Sequence, residues 1–185
     1  LHTQLQLSAG RSLSELGLLQ PPALQGCAIQ LRINLESQHA DGSIRPAAGI
    51  LSAYEPPSGP GLRVDGCGYA GYPVSPSYDS LLAKLIAHGQ SYPAALQRVY
   101  RALCEFRLEG VSSNLHLLQN LLQRPEVAAN RVNTGFVEEH LGALLAAQPQ
   151  AHPHLFFQTA GPLPGSREPV PEAPPGSLPL STHSA

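Results

Sequence analysis

The strictest constraint on the fold is the alternation of apolar and polar residues over positions 28–36, AIQLRINLE. The alternation separates apolar Ile29, Leu31, Ile33 and Leu35 from polar Gln30, Arg32, Asn34 and Glu36. Successive side chains of a strand point to opposite faces, so a period of two buries one face and leaves the other in water. The segment therefore predicts a half-buried strand of an antiparallel sheet.

Three further segments are candidates for short strands in the first half of the chain. GILSAY (49–54) and GLRVDG (61–66) are separated by a turn rich in proline and glycine, and Leu62 and Val64 are predicted to face inward. LLAKLI (81–86) fits a strand or a helix, because periodicity cannot separate the two in a short apolar run.

The second half of the chain predicts three helices, with Ser91, Ser113 and Thr134 as candidate N-caps. Their apolar stripes are Leu96, Val99, Tyr100 and Leu103, then Leu115, Leu118 and Leu122, then Val137, Leu141, Leu144 and Leu145. Residues 1–8 are expected to be the end of a helix. Strands early and helices late predict an α+β fold, an antiparallel β-sheet with packed helices.

Composition excludes several classes of protein. Only 13% of the 185 residues are charged and the net charge is −2, which excludes a basic nucleic-acid binder. No apolar run approaches the ~20 residues of a membrane span, and the first residues do not resemble a signal peptide. The three cysteines form no CxxC pair, so we expect neither a zinc site nor a disulfide framework, and a cytoplasmic location is predicted.

The composition changes near residue 149. Residues 149–185 hold nine of the nineteen prolines and only three charged side chains, which predicts a disordered linker after a folded part of about residues 1–148. A proline-rich ligand for an aromatic groove is the alternative. His152 and His154 lie in this segment as HPH, and we interpret them as incidental rather than as a metal site.

Arg63 is the candidate functional residue that the local sequence offers. It lies in SGPGLRVDG, where glycine and proline limit the loop geometry, so its guanidinium would lose little entropy on meeting an anion. The pattern alone favours a plainer interpretation, a surface arginine neutralised by Asp65. The common nucleotide-binding, zinc-protease and serine-hydrolase motifs do not occur, and the sequence offers no complete catalytic constellation.

Six segments, in order, resemble the C-terminal domain of biotin carboxylases and the end of the ATP-grasp region before it. They are QLQLSAGRSL (4–13), GCAIQLRINLE (26–36), RPAAGILSAYEPPSGPGLRVDG (45–66), YAGYPVSPSYDSLLAKLIAHG (69–89), ALQRVYRALCEFRLEGVSSN (95–114) and RVNTGFVEEHL (131–141). The resemblance implies three regions. Residues 1–13 would end the upstream ATP-grasp region, 14–148 would form the C-terminal domain, and 149–185 would be the linker.

The resemblance also implies an activity. Biotin carboxylases are ligases that form a C–N bond, using ATP, Mg²⁺ and bicarbonate to carboxylate biotin. In that family the arginine of the GPGxRxD segment, here Arg63, stabilises the oxyanion of the deprotonated biotin ring. The acidic residue that corresponds to Glu109 would help to hold biotin. The metal- and ATP-binding residues of the family lie upstream, so this chain alone is expected to bind no cofactor and to be inactive.

The partners implied by the resemblance are the upstream ATP-grasp region, a biotinylated carrier domain and a second copy of the chain, with no nucleic acid and no membrane. Because the domain mediates subunit pairing in relatives, a non-catalytic dimerisation or assembly module is the alternative function. An unrelated α+β domain with a coincidental pattern is a third interpretation. Loss of carboxylation in an Arg63→Ala variant that still assembles would distinguish the enzyme from the assembly module.

Overall fold

The computed structural model describes residues 1–21, 23–39, 41–146 and 152–156. The strands of this part of the chain are β1 (Cys27–Asn34), β2 (Glu36–Gln38), β3 (Ile44–Pro46), β4 (Gly49–Ile50), β5 (Ala53–Glu55), β6 (Leu62–Gly66), β7 (Pro73–Val74), β8 (Leu81–Gly89) and β9 (Arg107–Glu109). The helices are α1 (His2–Ser8), α2 (Tyr92–Glu105), α3 (Leu115–Leu122), α4 (Pro125–Ala128) and α5 (Phe136–Ala146).

The central sheet has the antiparallel order β1-β8-β6, and its register sorts the side chains onto two faces. Leu31 and Val64 both pair with Leu85, which puts the apolar residues of all three strands on one face. Arg32 and Asp65 both pair with Lys84, which puts charged residues on the other face. The alternation of 28–36 therefore predicted β1 correctly, and the ambiguous LLAKLI segment is a strand.

Helix α2 covers the apolar face of this sheet. It begins after Ser91, whose side chain accepts a hydrogen bond from the backbone N–H of Ala94 at 3.4 Å, as predicted. The fully buried core beneath it comprises Ile33, Leu85, Val99, Leu103 and Phe106. Each such side chain contributes about 1.5–3 kcal/mol by leaving water, so the sheet and α2 stabilise each other mainly through this layer.

Short strands build the edges of the molecule. They pair as β2 with β3, β4 with β7, and β5 with β9, all antiparallel. The predicted strand GILSAY is thus two strands, β4 and β5, which pair with different partners. A small core of Leu35, Leu51 and Leu82 lies beneath them.

Three sequence expectations about the helical half differ from the structure. The N-cap of α3 is Asn114 rather than Ser113. In α5 the buried residues are Phe136 and Leu144, whereas Val137, predicted to face inward, is exposed. Helix α4 was not predicted, and its four residues are too few to show a period.

The segment predicted to be a linker includes residues 152–156, and these lie against the helices. His152 is only 7% exposed and is hydrogen-bonded to Tyr100 and Asn120, a buried position that the sequence did not predict. The rest of the predicted linker lies outside the described residues. An α+β fold with an antiparallel sheet and packed helices is confirmed for the chain.

Candidate functional site

Arg63 lies on the charged face of the central sheet, directly after a tight turn. The N–H of Leu62 donates to the carbonyl of Gly59 at 3.1 Å, and Gly61 adopts a positive φ of 75°. A Cβ at Gly61 would collide with the Arg98 guanidinium and would lie 2.9 Å from the carbonyl oxygen of His88. Glycine is therefore required where the turn joins β6 to β8, and this close approach fixes the position of Arg63.

Arg63 forms an ion pair with Asp65, whose carboxylate Oδ1 is 2.9 Å from Nε. The hydrogen bond from Arg63, with the attraction of Arg63 and Lys84, lowers the pKa of Asp65. The Arg63 side chain nevertheless remains 72% exposed. Among the described residues Asp65 engages only the Nε edge, so the two Nη groups are directed to solvent and are accessible to an anion.

The surroundings of Arg63 are cationic on balance. Lys84 of the central strand β8 pairs with Arg32 of β1 and with Asp65 of β6, and Arg32 makes a long ion pair of 3.7 Å with Asp79. The face thus holds three cations and two carboxylates within a few strand positions. Fixed positive charge on a rigid sheet can stabilise a negative charge that appears during a reaction without the cost of reorganisation.

Glu109, the second residue predicted from the sequence, lies elsewhere. It belongs to β9 and pairs with β5, whereas Arg63 belongs to the central sheet. Arg107 donates from Nε to Glu109 at 2.8 Å and from Nη1 to Glu55 at 2.9 Å. The hydrogen bond from Arg107 lowers the pKa of Glu109. The structure therefore shows Glu109 in an ion-pair ladder with Arg107, not in contact with Arg63.

A buried carboxylate, Glu36, was missed by the sequence reasoning, which placed it on the wet face of the strand. It is 7% exposed and accepts hydrogen bonds from Asn34, Gln38 and the hydroxyl of Ser80 at 3.3, 2.9 and 3.0 Å. The alternation fails here because β1 ends at Asn34, the register with β8 shifts, and β2 pairs with β3 instead. No local signal marks such a change of partner.

A divalent metal would need a group of suitable donors. In the part of the chain that the structure describes, no three or more His, Cys, Asp or Glu side chains are grouped so that they could hold a metal ion. Mg²⁺ binding to nucleotide phosphates needs carboxylate ligands, so the described residues do not fit an ATP–Mg²⁺ site. The same residues include no helix long and apolar enough to cross a membrane.

A family model described as the biotin carboxylase C-terminal domain matches residues 30–139. The chain belongs to this family. The matched residues include both Arg63 and Glu109, the β6 and β9 positions described above.

The similar proteins include several carboxylases. Mitochondrial pyruvate carboxylase of Mus musculus is 38% identical over 174 residues, covering 92% of this chain and 15% of that enzyme. A solved single-chain, multi-domain long-chain acyl-CoA carboxylase has a TM-score of 0.71 and 46% identity, over 78% of this chain and 16% of that one.

A third similar protein is the biotin carboxylase domain dimer of Hydrogenobacter thermophilus 2-oxoglutarate carboxylase, solved with MgADP, ADP and bicarbonate. It has a TM-score of 0.62 and 30% identity, over 68% of this chain and 27% of that one. The chain spans about 15% of the length of the mammalian pyruvate carboxylases that it matches.

Proposed function

We propose that this chain is the C-terminal part of the biotin carboxylase component of a biotin-dependent carboxylase. The whole enzyme would carboxylate biotin with ATP and bicarbonate, and the upstream ATP-grasp region would hold ATP and Mg²⁺. The supporting observation is Arg63: a family-matched arginine at a fixed turn, exposed on a cationic sheet face, with both Nη groups directed to solvent.

The role proposed for Arg63 is to stabilise the negative charge on the ureido oxygen of biotin after its ring nitrogen loses a proton. A planar guanidinium held on a rigid strand is already oriented toward that charge before it develops. Asp65 would hold Nε and so leave the Nη edge for the oxyanion. Glu109 is a weaker part of the proposal, since its carboxylate is engaged by Arg107.

Arg63→Ala in the carboxylase that carries this segment tests the assignment. Removal of one preorganised donor to an oxyanion lowers kcat by about 10²–10³-fold, and we expect this loss in ATP-dependent biotin carboxylation. Arg63→Lys should recover only part of the activity, because an ammonium lacks the planar fork.

Arg101→Ala is the matched control, since Arg101 is also an exposed arginine whose Nε is paired with one carboxylate, Glu105 at 2.7 Å, but it lies on α2 and not on the charged sheet face. It should keep kcat within a few fold. Assembly of all variants would be measured by light scattering. An Arg63→Ala enzyme with normal kcat, or an equal loss in Arg101→Ala, would show that Arg63 has no specific catalytic role.

The second candidate function is a non-catalytic dimerisation or assembly module. The partners that we propose are a biotinylated carrier domain and a second copy of this chain. The assembly function is supported by the Hydrogenobacter thermophilus relative, whose biotin carboxylase domain was solved as a dimer. If the solution mass of the whole carboxylase were that of a monomer, the assembly function would be contradicted. If Arg63→Ala assembled normally but lost carboxylation, the catalytic proposal would be favoured.

A further inference from the structure

Residues 152–156, HPHLF, form a short segment that we call the strap. It is hydrogen-bonded to α2 and α3, and His152 lines a cavity with Ala143 and Leu144 of α5, in the layer on the far side of the central sheet from Arg63. The N–H of Leu155 donates to the carbonyl of Cys104 at 2.9 Å, which ties the strap to the end of α2. His152 is its buried end, at 7% exposed.

His152 joins three helices through a directed chain of hydrogen bonds. Asn120 of α3 donates from Nδ2 to the carbonyl of Leu144 in α5 at 2.7 Å, so its Oδ1 faces His152. Because Oδ1 only accepts, His152 Nε2 at 2.6 Å must carry the hydrogen. In the neutral ring Nδ1 is then the acceptor, and the hydroxyl of Tyr100 in α2 donates to it over 3.0 Å.

The charges around His152 disfavour an imidazolium. Among the described residues, the titratable and charged groups that face it are Tyr100 on α2, His116 on α3, Arg124 directly before α4, and His154 on the strap. None of these four is a carboxylate that would stabilise a cation. Helix α5 contributes the Leu144 carbonyl through Asn120. Protonation would also reverse the hydrogen bond with Tyr100, since Nδ1 would become a donor.

We propose that the strap anchors the following chain to the helical layer only while His152 is neutral, and that acidification releases it. The anchor holds residues 152–156 against the helical layer. This inference concerns the α2–α3–α5 layer and is independent of the role proposed for Arg63.

The sign of the pH dependence follows from the burial of His152. Burial, with His116 and His154 as further causes, lowers the pKa of docked His152 below its ordinary value of about 6.5. Docking is therefore complete above the undocked pKa and is lost as the pH falls through the docked pKa.

Amide hydrogen exchange on the full 185-residue chain between pH 7.5 and 5.0 tests the proposal, with rates corrected for intrinsic exchange. The protection of the Leu155 amide should fall at least 10-fold, while that of Leu85 in β8 stays constant as the internal reference for global folding. The ring protons of His152, followed by NMR, should titrate with the same midpoint. Constant protection at Leu155, or a midpoint that differs from that of His152, would overturn the proposal.

His152→Gln removes the titration but keeps an amide that can donate to Asn120 and accept from Tyr100. We expect Leu155 protection in this variant to be independent of pH, whether high or low. His154→Gln is the matched control on the same segment and should keep the pH dependence. A pH-dependent His152→Gln variant, or a pH-independent His154→Gln variant, would show that His152 is not the group that controls the strap.

Discussion

Asn114 fixes the junction between the central sheet and α3 through a single amide. Its Oδ1 accepts from the N–H of Asn34 at 2.9 Å, and its Nδ2 donates to the carbonyl of Arg32 at 3.0 Å. The residue is 8% exposed, so both backbone groups of β1 depend on it rather than on water. The side-chain amide of Asn114 therefore satisfies the hydrogen-bonding groups that the backbone of a neighbouring strand would otherwise satisfy at the end of β1.

We expect Asn114→Ala to lower the free energy of unfolding by about 2–3 kcal/mol, because two buried backbone groups lose their partners. Urea denaturation followed by circular dichroism measures the change. Ser113→Ala is the control: although its position suggested a helix cap, α3 begins after Asn114, and the change should stay within about 0.5 kcal/mol. Equal losses in the two variants would contradict the role given to Asn114.

Residue patterns predicted some side-chain roles and not others. Ser91 was identified as a cap because a proline, Pro93, and the apolar stripe of α2 follow it within a few residues, which is a local signal. Asn114, Glu36 and His152 owe their burial to partners that lie 80, 44 and 52 positions away, namely Asn34, Ser80 and Tyr100. Such distant pairings leave no mark on the neighbouring sequence.

At the scale of secondary-structure elements, replacing two glycines with alanine should change the free energy of unfolding in opposite directions. Gly110 follows β9 with a φ of 96°, and a Cβ there would collide with the carbonyl oxygen of Ile50 and lie 2.6 Å from the N–H nitrogen of Ser52. Gly110 thereby allows β9 to approach the segment between β4 and β5. Gly142 lies inside α5, and a Cβ added there would have no neighbouring atom within 4 Å to oppose it.

Gly110→Ala should lower the free energy of unfolding by about 2 kcal/mol or more, since it adds both a left-handed alanine and a collision with backbone. Gly142→Ala should raise that free energy by about 0.5–1 kcal/mol, because alanine loses less conformational entropy in a helix. Thermal and urea unfolding of both variants checks the two signs. Destabilisation of similar size in both would mean that loss of glycine, rather than the contact at Gly110, is responsible.

The elements that the sequence predicted well are those with an uninterrupted period. Strand β1 alternates over eight residues, and α2 carries an apolar stripe over fourteen. The strands β2, β3, β4, β7 and β9 have two or three residues each, too few to show a period. These short strands form because the rest of the fold places a partner strand beside each of them. The local periodicity of the sequence does not reveal such pairing.

At the scale of the whole molecule, the family was predicted from six sequence segments that occur in the family's order. The set of charged residues around Arg63 could be identified only from the folded sheet. Arg63 was correctly placed on an exposed strand face beside Asp65. The cationic neighbours Arg32 and Lys84 join it only through the register of three strands. The ion pair with Asp65 that the local sequence favoured is present, and the anion-binding role of Arg63 stays a prediction.

The final prediction concerns the whole catalytic cycle. Because the described residues do not group ligands for Mg²⁺, we expect the isolated 185-residue chain to show no biotin-dependent ATP hydrolysis above background. The measurement is phosphate release with ATP, Mg²⁺, bicarbonate and free biotin, after amide protection of β8 has shown that the chain is folded. Arg63→Ala in the same chain is the control, since any signal that it leaves unchanged comes from a contaminant. Turnover that requires Arg63 in the isolated chain would refute the proposal that ATP and Mg²⁺ are bound by an upstream region.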